Sequence, residues 1–280
     1  MMSDSAEFLT TQIASEIHAA RAQHNRLATF TSRADAVNFD VQAAYQVAYK
    51  VQTARVAAGA KVVGRKIGFT NRSLWPVFGV HQPVWGTLYD DSVEHLTDGE
   101  GHCSLAPWFE PKIEPEIVFH FSKAPQPGGS LPDILACIDW LALGFEMVDS
   151  PFPAWKFQAP DCIAVGGLHG RLLVGTPMPV KGPAVLVQLE SFKLQLLCNG
   201  QLRDQGTGAN VLGSPLAAVA HLMDVLAMQT FAAPLAAGDL VTTGTVTQAL
   251  NVAAGEQWSA RVTGLGASDN ASSITVEFSA

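Results

Sequence analysis

The run KIEPEIVFHF, residues 112–121, limits what this chain can fold into more than any other segment. Side chains alternate across a strand, so Glu114 and Glu116 project from one face. Ile113, Pro115, Ile117, Phe119 and Phe121 take the opposite, apolar face. Neighbouring carboxylates repel each other, and burying them is costly unless a cation or a proton compensates. From spacing alone the pair fits the solvated face of an edge strand as well as a buried, compensated site.

A third carboxylate, Glu146, interrupts the apolar run LALGFEMV. Taken alone it reads as a salt-bridge partner. Taken together, three carboxylates in apolar strand contexts suit a hard cation such as Mg²⁺ or Mn²⁺, which prefers oxygen ligands. In VVGRKIGFTN, Lys66 stands among apolar residues and between Gly64 and Gly68. By context it reads first as a snorkelling lysine at a sheet edge. The alternative is a lysine facing a ligand that the glycines let approach, where it binds a carboxylate or shuttles a proton.

Composition narrows the function classes. The chain has 280 residues, 48% hydrophobic and 15% charged, which fits a large buried core and a compact, oligomeric enzyme. Net charge is -8 and no Lys/Arg run tracks phosphates, so nucleic acid is excluded as a partner. Cys103, Cys137, Cys162 and Cys198 are scattered, with no C-x-x-C and no disulfide framework expected. The start, MMSDSAEFLTTQ, lacks the pattern of a secretory leader. No run of about 18 apolar residues predicts a membrane span. The expectation is a cytoplasmic protein.

Apolar spacing predicts helices over 5–24 and 40–58, the second with Asp40 as N-cap and Gly59 as stop. Strand texture follows in VVGRKIGF, GTLY and KIEPEIVFHF. A helix is predicted over 132–142, then a short strand at GFEMV. From 180 onward the chain reads mainly as strands, with a hairpin at Asn199-Gly200 and one helix over 215–228 opened by Pro215. Turns are expected at Gly238-Asp239 and Ala254-Gly255. The division is a helical segment over 1–60 and a strand-rich domain over 61–280.

Other residues carry weaker signals. His169 and His81 are candidates for a general acid or base, since imidazole titrates near neutrality; each reads equally as a loop histidine bonded to backbone. His120 shares the glutamate face farther along its strand. Of Thr242, Thr243 and Thr245, the last is the one expected to bond a substrate carboxylate. Asp161 is a polar break near the expected site. Trp75, Phe78, Trp85, Trp108 and Phe109 read mostly as core, or as one wall of a pocket.

Several segments together resemble the 2-keto-4-pentenoate hydratase and 4-oxalocrotonate decarboxylase family of the fumarylacetoacetate hydrolase superfamily. They are VVGRKIGFT, GVHQPVWGTLYDD, PKIEPEIVF, FEMVDSPF, Asp161 after WKFQ, GTGANVLGSPLAAVAHL and GDLVTTGTVTQALNVAAGE, in the family's order. The resemblance implies an α+β fold, a mixed strand-rich β-roll with an N-terminal helical segment, whose catalytic domain is 61–280. It implies Mg²⁺ or Mn²⁺ on Glu114, Glu116 and Glu146, with Lys66 catalytic or substrate-binding and Asp161 and Thr245 binding substrate. It also implies a homo-oligomer, with relatives that form complexes between hydratase and decarboxylase.

The implied substrate is a small 2-oxo acid that chelates the cation and reacts through a metal-bound enolate. Hydro-lyase activity of the 2-keto-4-pentenoate hydratase type is the first expectation, and a carboxy-lyase of the 4-oxalocrotonate type the alternative. A C–C bond hydrolase is a further alternative, lacking here the H-x-x-E-like pair; a non-catalytic partner subunit is another. Two departures bear on the choice. Hydratases of the family read D-Q-P-D-F-G where this chain has His81-Gln82-Pro83-Val84-Trp85-Gly86, so Val84 replaces an aspartate tied to proton transfer. After Asp161 the usual I-A-D-N-A-S is replaced by Ile163 through Leu168, and His169 follows.

Overall fold

The computed structural model describes residues 4–35, 39–72, 75–266 and 272–280. Helices α1 (Asp4–Gln23) and α2 (Val41–Ala57) come first. Then follow β1 (Val62–Gly68), α3 (Trp75–Phe78), β2 (Val84–Tyr89), β3 (Val93–His95), β4 (Glu100–Ser104) and β5 (Lys112–Phe121). Next are α4 (Leu131–Leu135), β6 (Ile138–Val148), α5 (Ala159–Ala164), β7 (His169–Val174), β8 (Met178–Pro179) and α6 (Ala184–Ser191). The chain ends with β9 (Lys193–Cys198), β10 (Gln201–Thr207), α7 (Pro215–Ala227), β11 (Leu240–Thr242), β12 (Leu250–Asn251), β13 (Gln257–Thr263) and β14 (Ser272–Ser279). This is the expected mixed α+β, strand-rich architecture.

A nine-stranded sheet runs β2-β1-β11-β5-β6-β7-β3, with β12 added on β5 and β8 on β6. A five-stranded sheet runs β10-β9-β13-β14-β4. In the larger sheet β5 is central, flanked by β6 on one side and by β11 and β12 on the other. The edge-strand alternative for the Glu114–Glu116 pair is thereby removed. The odd-numbered β5 residues Ile113, Ile117, Phe119 and Phe121 enter the main core. Ile13 and Ile17 of α1 and Tyr45 and Val47 of α2 share that core. A smaller apolar cluster holds Leu88, Val118, Ala142, Leu172, Val174 and Leu240 on the other face.

Local signals account for several elements. Asp40 caps α2 by accepting from Ala43 N at 2.9 Å. Ser214 caps α7 in the same way, with Pro215 at the first helical position. The window of α7 and the turn before it, Gly208–Ala227, is long and apolar enough to cross a membrane, but 56% of it is buried inside the protein, as for a core helix. The hairpin at Asn199-Gly200 forms with positive φ at both residues, the geometry of a tight β-turn.

Two expectations need correction. The predicted helix over 132–142 is confined to Leu131–Leu135, capped by Ser130. From Ile138 onward the chain is an eleven-residue strand whose pairing with β5 runs the length of both. Tertiary pairing overrides local helical spacing here. And within the strand-rich region after 180 there is a further helix, α6.

Candidate metal centre

Register brings the charged residues together. Across β5 and β6, Glu114 lies opposite Glu146 and Glu116 opposite Gly144. Like charges directly opposite one another destabilise a ladder. Glu116 and Glu146 are fully buried and Glu114 is half-buried. One ligand atom from each lies within 4.8 Å of the others. On the same face, one row along, Lys66 pairs in register with Thr242 and Gly86, and Thr242 with Val118.

Each buried carboxylate has one oxygen tied down and one without a hydrogen bond. Glu116 Oε2 accepts from Thr242 Oγ1 and, at 2.8 Å, from Gly244 N. Its Oε1 has no hydrogen-bond partner. Glu146 Oε1 pairs with His169 Nδ1 at 2.8 Å. Its Oε2 lies 3.1 Å from Lys66 Nζ. That contact is an ion pair without hydrogen-bond geometry, so Oε2 also lacks a hydrogen bond. A buried acceptor left unpaired, as Glu116 Oε1 is, is costly, and a cation bound there removes the cost.

The charges point the same way. Burial pushes Glu114 up to about 7, against the pull of Lys66 and with the repulsion of Glu146. Burial, then Glu146 and Glu114, lift Glu116 well above the usual carboxylate range. Burial also opposes ionisation of Glu146, but Lys66 and His169 outweigh it and hold that carboxyl below its ordinary value. Lys66 is buried, which favours its neutral form, yet Glu146, Glu114 and Glu116 reverse this and keep it charged. Three carboxylates against one ammonium leave two negative charges, which a divalent cation neutralises. The donor set is all oxygen, as a hard cation requires. The residues present fit such an ion.

Lys66 is held by the backbone. Its Nζ donates to Gly167 O at 3.0 Å. A Cβ on Gly167 would sit 2.9 Å from Lys66 Cδ, and one on Gly86 would sit 3.2 Å from Lys66 Cγ. The lysine stem therefore threads between two glycines that lie far from it in sequence. Val84 is buried on the same side, since a Cβ on Gly68 would meet Val84 Cγ2 at 3.2 Å and Lys66 Nζ at 3.7 Å.

The remaining sequence candidates separate. His169 opens β7 rather than lying on a loop, and its Nε2 meets Ser92 Oγ at 3.0 Å. His81 is exposed and precedes β2, and no bond joins it to the centre among the described residues. Asp161 is a correction. One of its oxygens accepts from Phe30 N at 2.7 Å and Thr31 N at 3.0 Å. The other accepts from Thr31 Oγ1 at 2.7 Å and Gln158 N at 2.9 Å. With both oxygens committed to the protein, it staples the 30–31 segment to α5 and has no capacity for substrate. The legible signal was its place in the first turn of α5, where an acidic side chain meets free backbone amides, here Gln158 N.

Thr245 is half-buried and its Oγ1 accepts from Thr247 N at 3.3 Å. The threonine that reaches the carboxylates is Thr242. Strand parity gives the reason: it shares the row of Lys66 and Val118. His120 pairs with Asp139 at 2.6 Å and stacks on Trp140, so it does not support the glutamates. Trp108 and Phe109 line a cavity of about 320 Å³ beside α1 that reaches His169 from outside, whereas Trp85 is buried in the core.

Comparison with known proteins fits this geometry. A family model described as fumarylacetoacetate (FAA) hydrolase C-terminal matches residues 89–271. The 2-hydroxyhexa-2,4-dienoate hydratase of Comamonas testosteroni is 33% identical over 227 residues, covering 81% of this chain and 84% of its own. The 4-oxalocrotonate decarboxylase of Pseudomonas putida is 32% identical over 225 residues, covering 80% and 82%. Among solved structures, the 4-oxalocrotonate decarboxylase from Pseudomonas putida G7, complexed with magnesium and adipate, superposes with a TM-score of 0.86 at 28% identity, covering 99% of both chains. This chain belongs to the fumarylacetoacetate hydrolase family, in the branch that holds the 2-keto-4-pentenoate hydratases and the 4-oxalocrotonate decarboxylases.

Proposed function

We propose that this chain is a divalent-cation-dependent lyase acting on a small 2-oxo acid, with Mg²⁺ or Mn²⁺ held by Glu114, Glu116 and Glu146. The observation that carries the reading is the buried three-carboxylate cluster, in which Glu116 Oε1 has no hydrogen-bond partner and Glu146 Oε2 has only the Lys66 ion pair. A cation held by these three residues would supply Lewis acidity to a bound 2-oxo acid. Lys66 keeps a fixed positive charge beside the cluster, where it orients an anionic substrate group. Thr242 and Gly244 N hold Glu116 in place. The apolar surroundings exclude water from the ion pairs and strengthen them.

Hydration is the first reading of the reaction, supported by the hydratase relatives. One observation favours the second, loss of CO₂. Val84 lies on the same side of the sheet as Lys66, at the position where the family's hydratases carry an aspartate, and a valine relays no proton. Product analysis by NMR decides between them. Incubation with 2-hydroxypenta-2,4-dienoate and with 2-oxo-3-hexenedioate, each with Mg²⁺ or Mn²⁺, is expected to convert at least one. Conversion of neither, in protein shown to bind the metal, removes the lyase reading. The proposal extends to a homo-oligomer, which light scattering checks.

A further inference from the structure

We infer that His169, backed by Ser92, is a positioning residue that fixes the Glu146 carboxylate by its Oε1 and so leaves Oε2 available to a cation. The inference rests on the reading of the three-carboxylate cluster as a divalent-cation site. Its first support is geometry. The His169 side chain is 5% exposed and bonded through both ring nitrogens, to Glu146 Oε1 at 2.8 Å and Ser92 Oγ at 3.0 Å. An ionised carboxylate only accepts, so Nδ1 carries the hydrogen and Nε2 faces the serine hydroxyl. Ser92 is itself buried and anchored, with Tyr89 N donating to its Oγ at 3.3 Å.

The second support is the backbone that delivers the ring. Gly166, Gly167 and Leu168 have φ of 83°, 71° and 62°, three left-handed residues in succession. Leucine rarely adopts that region, because its Cβ crowds the following carbonyl. The turn carries two contacts to the centre: Gly167 O takes Lys66 Nζ, and His169, the next residue after Leu168, takes Glu146. The third support is competition. Lys66 Nζ already lies 3.1 Å from Glu146 Oε2 without a hydrogen bond. With the grip on Oε1 removed, the carboxylate would be free to rotate until Lys66 donates to it, which would withdraw the oxygen left available to a cation. A ring committed at both nitrogens, with its side chain only 5% exposed, is poorly placed as the acid or base of the reaction. The sequence expectation for His169 is revised accordingly.

The test uses substitutions that keep one end of the ring at a time. An asparagine amide reaches the place of Nδ1, and a glutamine amide the place of Nε2. Mg²⁺ binding to the metal-free full-length protein is measured by calorimetry, with Tm recorded alongside. His169→Ala and His169→Gln are expected to weaken Mg²⁺ binding by about 10- to 100-fold, the scale for losing an outer partner of a ligand. His169→Asn is expected to stay within about threefold of the wild type, and Ser92→Ala to fall between these limits. Should the alanine variant not fold, the asparagine and glutamine pair carries the comparison. Equal Mg²⁺ affinity in those two variants, with wild-type protein binding normally, overturns the positioning role and leaves the lyase reading intact. Wild-type protein that binds no divalent cation overturns the reading beneath it, and this inference with it.

Discussion

The two sheets of this molecule treat polarity in opposite ways. In the five-stranded sheet, β9, β13 and β14 alternate strictly. Leu194, Leu196, Trp258, Ala260, Ile274 and Val276 are buried, while Lys193, Gln195, Arg261 and Glu277 are exposed. One face meets the core and the other meets water, so each polar residue is satisfied by solvent. In the nine-stranded sheet, β5 and β6 are covered on both faces. There Lys66, Glu116, Glu146 and Thr242 are buried as deeply as the phenylalanines around them. A charge in the first sheet carries no information about function. A charge in the second has to be compensated, and the compensation is the site.

Removing a ligand tests that contrast most severely. Glu116→Gln keeps the shape of the side chain but removes its charge. It is expected to lower activity by about 10³-fold, the upper scale for losing one electrostatic stabiliser, and to abolish tight Mg²⁺ binding. Circular dichroism should show an unchanged fold. Normal calorimetric affinity in this variant would break the assignment. Lys66→Met is expected to reduce kcat by about 10²-fold while metal affinity holds or rises, because a nearby positive charge is gone. Wild-type kcat would return Lys66 to a structural role.

How much of this was legible in the sequence divides along the same line. Local signals were readable: the Asp40 cap, the Pro215 start of α7 and the Asn199-Gly200 turn each sit within a few residues of what they cause. Helix α4 was overextended because 132–142 has apolar spacing that satisfies a helix, and its strand identity from Ile138 is set by β5, a distant partner. Helix α6 was hidden in a valine-rich run that reads as strand. The three glutamates stood out because charge inside apolar strands is rare. Asp161 reads as a polar break near the site and is given a substrate role by the resemblance, whereas backbone amides from residues 30, 31 and 158 compensate it. The glycine walls of the Lys66 channel, Gly86 and Gly167, were out of reach because only the folded chain brings them to residue 66.

Backbone approach constrains single glycine positions as sharply as burial constrains charge. A Cβ on Gly64 would lie 1.9 Å from Leu240 O, a contact with main chain that cannot step aside. Gly64→Ala is therefore expected to cost about 3 kcal/mol, the upper range for overpacking, and to disturb β1–β11 pairing two residues from Lys66. Denaturant melts should show the loss, and Mg²⁺ affinity should fall with it. Unchanged stability would mean that β1 has room to shift.

The pH dependence of the metal-free protein sharpens the comparison further. Glu114 is raised from its ordinary 4.5 to about 7, and Glu116 is raised as well. Between these values the folded state holds protons that the unfolded state has released, so stability falls as pH rises. The lowered Glu146 acts below 4.5 and the raised Lys66 above its ordinary 10.5, so neither masks this window. The Glu114 shift alone corresponds to about 3 kcal/mol at its limit. Tm without metal should be higher at pH 5 than at pH 8, and Mg²⁺ should reduce the difference by compensating the carboxylates. A Tm that rises with pH across this window in metal-free protein would contradict the burial of uncompensated charge.

The smallest effect is expected from the same glycine-to-alanine change in the other sheet. Gly200 sits at the β9–β10 turn with φ of 76°, beside Asn199 at 51°. No atom lies within 4 Å of the position a Cβ would take. Steric contact therefore contributes nothing, and the cost of Gly200→Ala is the strain of a left-handed alanine alone, about 1 kcal/mol. The hairpin edge it closes is far from the carboxylates in sheet order, so Mg²⁺ affinity and turnover should match the wild type. Urea melts of the two alanine variants, read beside calorimetry, separate backbone strain from collision. A loss at Gly200 as large as that at Gly64 would show that the turn is packed against something. A change in Mg²⁺ affinity at Gly200 would show that the two sheets are coupled, and that the solvent-facing sheet takes part in shaping the centre.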